Sequence, residues 1–161
     1  MFHLVDRGAS LTRDDIEDLW KQCNTEEEKR QILNAEFNGE HAFTQAARQG
    51  AYEAVAWLIE KWNSSELSTE EQNMYKKYID KPDGDGHTPL FEACRQCFIG
   101  SDNIMKSEKK KANRYRIVEL LINNEARVNI RSKHVGMTPL HWAAYNNDSN
   151  VVKLLIDKNA P

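Results

Sequence analysis

The stretch TPLHWAA at 138–144 sets His141 beside Trp142 after a Thr-Pro, a grouping that could open a site for acid–base chemistry or a metal. Cys94 and Cys97 make a second candidate, spaced C-x-x-C as zinc thiolates or a redox pair would be. A zinc site needs a second pair of ligands at suitable spacing, and none is evident. Carboxylates gather in RDDIED and NTEEEK, runs that suit helix starts, where negative charge complements the dipole. The chain has no glycine-rich phosphate loop, no G-x-S-x-G elbow and no kinase signature. Neither an enzyme, a metal nor a cofactor is expected. A basic run, Lys106, Lys109, Lys110, Lys111, Arg114 and Arg116 against Glu108 alone, stands out in a chain of net charge -3. It is either a solvated helix extension or a patch for an acidic partner surface or phosphoinositide headgroups.

What positions these residues is a repeat. TPLHWAA at 138 has a partner in TPLFEAC at 88 and a weaker one in HAFTQAA at 41. Apolar residues after each copy keep one register: Val55, Trp57, Leu58 and Ile59 correspond to Val118, Leu120, Leu121 and Ile122. Both sets correspond to Val152, Leu154, Leu155 and Ile156. Thr138 follows Thr88 by 50 residues and Thr88 follows His41 by 47, so each interval carries an insertion over a unit of about 33. One insertion falls near 98–116 and predicts a second helix lengthened backwards through KSEKKKANRYR. The other falls at 63–78, where Ser68 with Glu71 fits a capping box and predicts an extra helix over about 69–78. Thr12 with Asp15, and Thr25 with Glu28, predict two more helices at about 13–22 and 26–35.

The unit resembles the ankyrin repeat, through DGDGHTPL at 83–90, ARVN at 126–129 after IVELLI, and the three TPLH-like starts. The resemblance covers residues 32–161 and implies an all-α solenoid of stacked antiparallel helix pairs with β-turn connections. It divides the chain into an N-terminal helical cap or divergent repeat, 1–36, and repeats over 37–161. Those repeats fall at about 37–62, 83–129 and 133–161. HLVDRGASL at 3–11 could close a further repeat. In such a stack Thr138 and Pro139 start a helix, and His141 bonds to the threonine hydroxyl or to a neighbouring turn. It is then a brace, not a catalyst. Phe91 holds the same slot in the middle copy. Cys94 takes an alanine slot, where a thiol behaves as a small hydrophobe. Val151, Val152, Leu154, Leu155 and Ile156 pack layer on layer, and Ala46, Ala47, Ala93, Ala143 and Ala144 let helices approach.

The resemblance also implies function. Such stacks present a concave face of turn tips and first helices to a partner protein. By slot, the candidate partner-binding residues are Arg48, Gln49, Asp85, His87, Arg95, Met137, Trp142 and Tyr145; Phe37, Asn38, Glu40, Gln96, His134 and Val135 flank them. Trp142, Tyr145 and Arg95 are the expected hot spots. The leading expectation is a non-enzymatic scaffold or adaptor module, with VVKLLI followed by NAP suggesting a piece of a longer protein. The alternative is a regulatory or substrate-docking domain of an enzyme, an ion channel or a secreted bacterial effector. A pI of about 6.0 gives no reason to expect nucleic acid. A mean hydropathy of -0.75 with 40% hydrophobic residues suits an elongated helical protein. No apolar run approaches the ~20 residues of a membrane span. Three cysteines without a disulfide framework favour an intracellular, cytoplasmic location, or host cytoplasm for a secreted effector.

Overall fold

A computed structural model describes residues 13–34, 36–37, 40–95 and 104–158; over 104–110, and at Asp15 and Phe37, it describes the backbone alone. Thr12, the 3–11 segment, Asn38, Gln96 and Cys97 therefore lie outside the described residues. Nine α-helices occur among them, with strand limited to a two-residue hairpin. In order these are α1 (Arg13–Gln22), α2 (Glu26–Leu33), β1 (Glu36–Phe37), β2 (Glu40–His41), α3 (Ala42–Gln49) and α4 (Tyr52–Trp62). There follow α5 (Thr69–Lys76) with a 3-10 turn (Lys77–Ile79), α6 (Pro89–Arg95), α7 (Ile104–Asn123), α8 (Pro139–Tyr145) and α9 (Ser149–Asp157).

The helices form two rows. First helices α3, α6 and α8 stack on one another, and second helices α4, α7 and α9 stack behind them. Within each pair the chain reverses across a short link; Gly50, at φ 73, closes α3 and lets α4 begin two residues later. A short helix cannot bury its own apolar stripe, so each layer is finished by the next. Burial along the repeated slot shows this: Ile59 is 5% exposed, Ile122 8% and Ile156 56%. The expectation that Ile156 packs between layers is thus corrected, because no described layer covers α9. Val152 and Leu154 are half-buried for the same reason, and Ala144 is exposed, whereas Ala47, Ala93 and Ala143 are buried as expected.

The inserted helix α5 and the N-terminal helix α2 form where their caps place them. Ser68 and Glu71 make a reciprocal capping box, and the Ser68 backbone and hydroxyl, with Arg30, hold the Glu71 carboxyl down to about 2. Thr25 and Glu28 make the same box for α2. The 69–79 insertion is no appendage: Tyr75 and Ile79 are buried, and Tyr75 and Tyr78 join Trp62, Phe43 and His41 in one aromatic cluster. His41 occupies the threonine slot and does its work, for its Nδ1 accepts the Phe43 N–H at 3.1 Å as N-cap of α3. Its ring lies 3.8 Å from that of Tyr78.

One basic residue expected at the surface is instead inside. Arg114 is 1% exposed and pairs with Asp148 at 3.4 Å. Asp148 caps α9 by accepting from Val151, so the pair joins α7 to the start of the last layer. Arg114 is thereby removed from the basic patch, since a helix extended backwards turns this position toward the stack. Replacing Arg114 or Asp148 singly should cost about 3–5 kcal/mol in urea unfolding, by stranding a buried charge. The apolar pair Arg114→Met with Asp148→Leu should recover much of it.

Burial, then the nearby Lys81, push His41 down to about 4 against the opposing Glu36. The unfolded chain takes up a proton near 6.5 that the folded one refuses. This contribution to stability is therefore complete above about pH 6.5 and is lost as pH falls toward 4. In urea titrations across that window, the stability gap between the wild-type chain and His41→Asn, whose side chain can still cap, should narrow as pH drops.

Candidate partner-binding face

The turns ahead of α6 and α8 form one edge of the stack. In the middle turn the Asp83 N–H donates to the His87 carbonyl at 2.9 Å, and Asp83 Oδ1 accepts from the backbone of Asp85 and His87. Gly86, at φ 81, is required twice over: a Cβ there would also meet Lys133 Cγ at 2.8 Å. That closeness marks where one turn is tied to the next. Lys133 donates its N–H to the Asp85 carbonyl at 3.1 Å and its ammonium to the Gly84 carbonyl at 3.0 Å. His134 stands 3.4 Å from Asp85.

His141 makes no such tie. Its Nδ1 accepts the Thr138 N–H at 3.2 Å and lies 2.7 Å from the Thr138 hydroxyl, while its own N–H points back to that oxygen. This is a capping box with imidazole in place of the usual glutamate. The hydroxyl contact is as expected; bracing of one turn against another falls to Lys133 instead, because an imidazole three residues into the helix folds back on its own cap. His141→Ala should cost about 1 kcal/mol in urea unfolding, and His141→Glu should restore it.

Behind the turns lies an ion network that the sequence reading missed in part. Arg48 reaches Glu92 Oε2 at 2.9 Å, Glu40 at 2.7 Å and Asp83 at 3.2 Å. Arg95 also meets Glu92, at 3.1 Å, and His87 Nδ1 lies 2.9 Å from Glu92 Oε1 and 3.6 Å from Asp83 Oδ2. Glu92 is 1% exposed. Burial, with Glu92 and Asp83 nearby, raises the Glu40 carboxyl above its ordinary range, against the pull of Arg48. Three of the expected partner-binding residues, Arg48, His87 and Arg95, are thus brought together around the Glu92 carboxylate. Asp83, Glu92 and Glu40 complete the set. The signal that could have found them is a glutamate in a first-helix slot facing an arginine one repeat earlier.

Met137, Trp142 and Tyr145 sit one layer on. His87 stacks on Phe91 at 4.4 Å, Phe91 meets Trp142 edge-on at 6.4 Å, and Trp142 meets Tyr145 edge-on at 5.4 Å. Phe91 is buried, Trp142, Met137 and Gln49 half-buried, Asp85 exposed and Tyr145 72% exposed. Trp142 therefore packs back against the middle layer. Val135 is exposed as well. Of the basic run, Arg116 is exposed but stacks over Tyr52 at 3.5 Å, Lys111 is exposed, and Lys106, Lys109 and Lys110 are described only as positions on α7. Cys94 is fully buried and burial pushes its thiol up to about 12, as for a cysteine packed as a small hydrophobe. Among the described residues no helix is long and apolar enough to cross a membrane.

A family model described as ankyrin repeats (3 copies) matches residues 109–161, the stretch from α7 to beyond α9. The transient receptor potential cation channel subfamily A member 1 of Homo sapiens is 35% identical over an alignment of 104 residues, which covers 53% of this chain. This chain spans 9% of that protein's length. The stretch 109–161 is thus matched as ankyrin repeats, and the helix pair α3–α4 and helix α6 ahead of it stack on the same plan.

Proposed function

We propose that this chain is a protein-interaction module that binds a partner protein through the turn tips and first helices, without chemistry of its own. The observation that carries the reading is the aromatic ladder His87–Phe91–Trp142–Tyr145, which is anchored inside the stack and ends on an exposed tyrosine. A rigid aromatic held by packing on one side and open on the other loses little entropy when a partner covers it. Arg48, His87 and Arg95 contribute differently, by fixing the shape of the face through their ion pairs. Residues 13–33 act in this reading as an N-terminal cap, with α1 packed on α4.

A second reading, the regulatory or docking domain of a larger polypeptide such as an ion channel, is supported by the similarity to a cation channel of which this chain spans 9%. In either reading the N-terminal half of α7, carrying Lys106, Lys109, Lys110 and Lys111, brings positive charge that suits an acidic surface or phosphoinositide.

Affinity purification with the wild-type chain and Tyr145→Ala in parallel tests the leading reading. A partner retained by the first should weaken by about 1–2 kcal/mol with the second while the melting temperature holds. An identical set of bound proteins with both, or a fall in melting temperature, overturns it. Replacing Lys109, Lys110 and Lys111 together by glutamate leaves that partner's affinity unchanged if only the concave face docks.

A further inference from the structure

Asp83, His87 and Glu92 place one ligand-capable atom each within 4.8 Å of the others. His87 Nδ1 stands 2.9 Å from Glu92 Oε1 and 3.6 Å from Asp83 Oδ2. Ligand atoms about 2.1 Å from a tetrahedral Zn2+ stand about 3.4 Å apart, so these two separations bracket the edge of such a site. Glu92 Oε1 is buried and accepts no hydrogen bond, although two nitrogens lie near it. Arg95 directs its Nε–H to Oε2 at 3.2 Å, the oxygen that Arg48 also takes. A carboxylate oxygen buried without a donor is costly, and a cation offsets that cost.

The arginines do not fill the same role. Arg48 is anchored by Glu40 and by Glu92 Oε2, and Asp83 Oδ1 is held by the backbone of its own turn. These contacts orient the two carboxylates so that Glu92 Oε1 and Asp83 Oδ2 both face the imidazole, the arrangement outer partners give to metal ligands; Asp83 Oδ2 also accepts from Arg48 at 3.2 Å, a bond that an incoming ion displaces. Among the described residues the three carboxyl groups of Glu40, Asp83 and Glu92 face two guanidinium groups, Arg48 and Arg95, and the His87 imidazole, so acidic groups outnumber arginines where a dication would sit.

We propose that Asp83, His87 and Glu92 bind a divalent transition ion of the Zn2+ class, with solvent in the fourth position, at the junction of the middle turn and α6. An imidazole with two carboxylate oxygens suits Zn2+ or Co2+ and offers too few oxygens for Ca2+. The proposal is independent of the partner-binding reading. The bound ion would clip the turn to its helix and stiffen the face beside the aromatic ladder.

The chain, stripped with a chelator, is titrated with Zn2+ alone in a calorimeter near neutral pH. One ion should bind per chain, and Asp83→Asn and His87→Gln should each weaken it at least about tenfold. No binding by the wild-type chain overturns the proposal, as does equal binding by both variants. The wild-type chain also supplies a readout free of any folding defect. Substoichiometric Co2+ should broaden the His87 imidazole NMR signals ahead of those of His134 and His141, and broadening of another histidine first refutes the site.

Discussion

An eight- or eleven-residue helix exposes an apolar stripe that its hairpin partner covers only in part. The remainder must be covered by the next pair, so every layer depends on a neighbour for its stability. The gradient across Ile59, Ile122 and Ile156 is that dependence measured at one slot. Trp57 and Trp62, both almost wholly buried, widen the first layer's share of the seam, which α1 covers from the other side. Two charged groups that enter this seam, Arg114 and Glu92, are paired across layers. Arg114 reaches Asp148, and Arg48 reaches Glu92, so charge as well as grease sets the spacing of neighbours.

Elements governed by local rules were legible from residue types alone. Ser68 with Glu71 and Thr25 with Glu28 announce their helices because a reciprocal cap needs only residues three apart. The glycine before each TPL start announces its turn for a like reason. His41 was harder, since an imidazole serving as an N-cap looks like a lost threonine until its Nδ1 is seen on the Phe43 N–H. Of the two partners open to His141, the structure shows the Thr138 hydroxyl and not a neighbouring turn, because its reach is fixed by the helix it begins.

Contacts between layers were least legible. Arg114 sits in a lysine-rich run and differs from its neighbours only in facing inward, which depends on the helical phase carried across an insertion of uncertain length. Glu92 and Asp83 are ordinary carboxylates in sequence and acquire meaning only when α3, α6 and the middle turn meet. The aromatic ladder has the same character. Each ring is visible as a letter, but their continuity from His87 to Tyr145 belongs to the stacking of two repeats.

Helix α7 runs unbroken from Ile104 to Asn123, fusing the inserted segment to a second-row helix with no joint between them. At 20 residues it is a rod of about 30 Å. Its inner half is gripped by the Arg114–Asp148 pair, the Arg116–Tyr52 stack and the bond from Asn113 to the Gly50 carbonyl. A pull on its outer end would act as on a lever arm, delivering torque to the boundary between repeats where a flexible loop would have dissipated it.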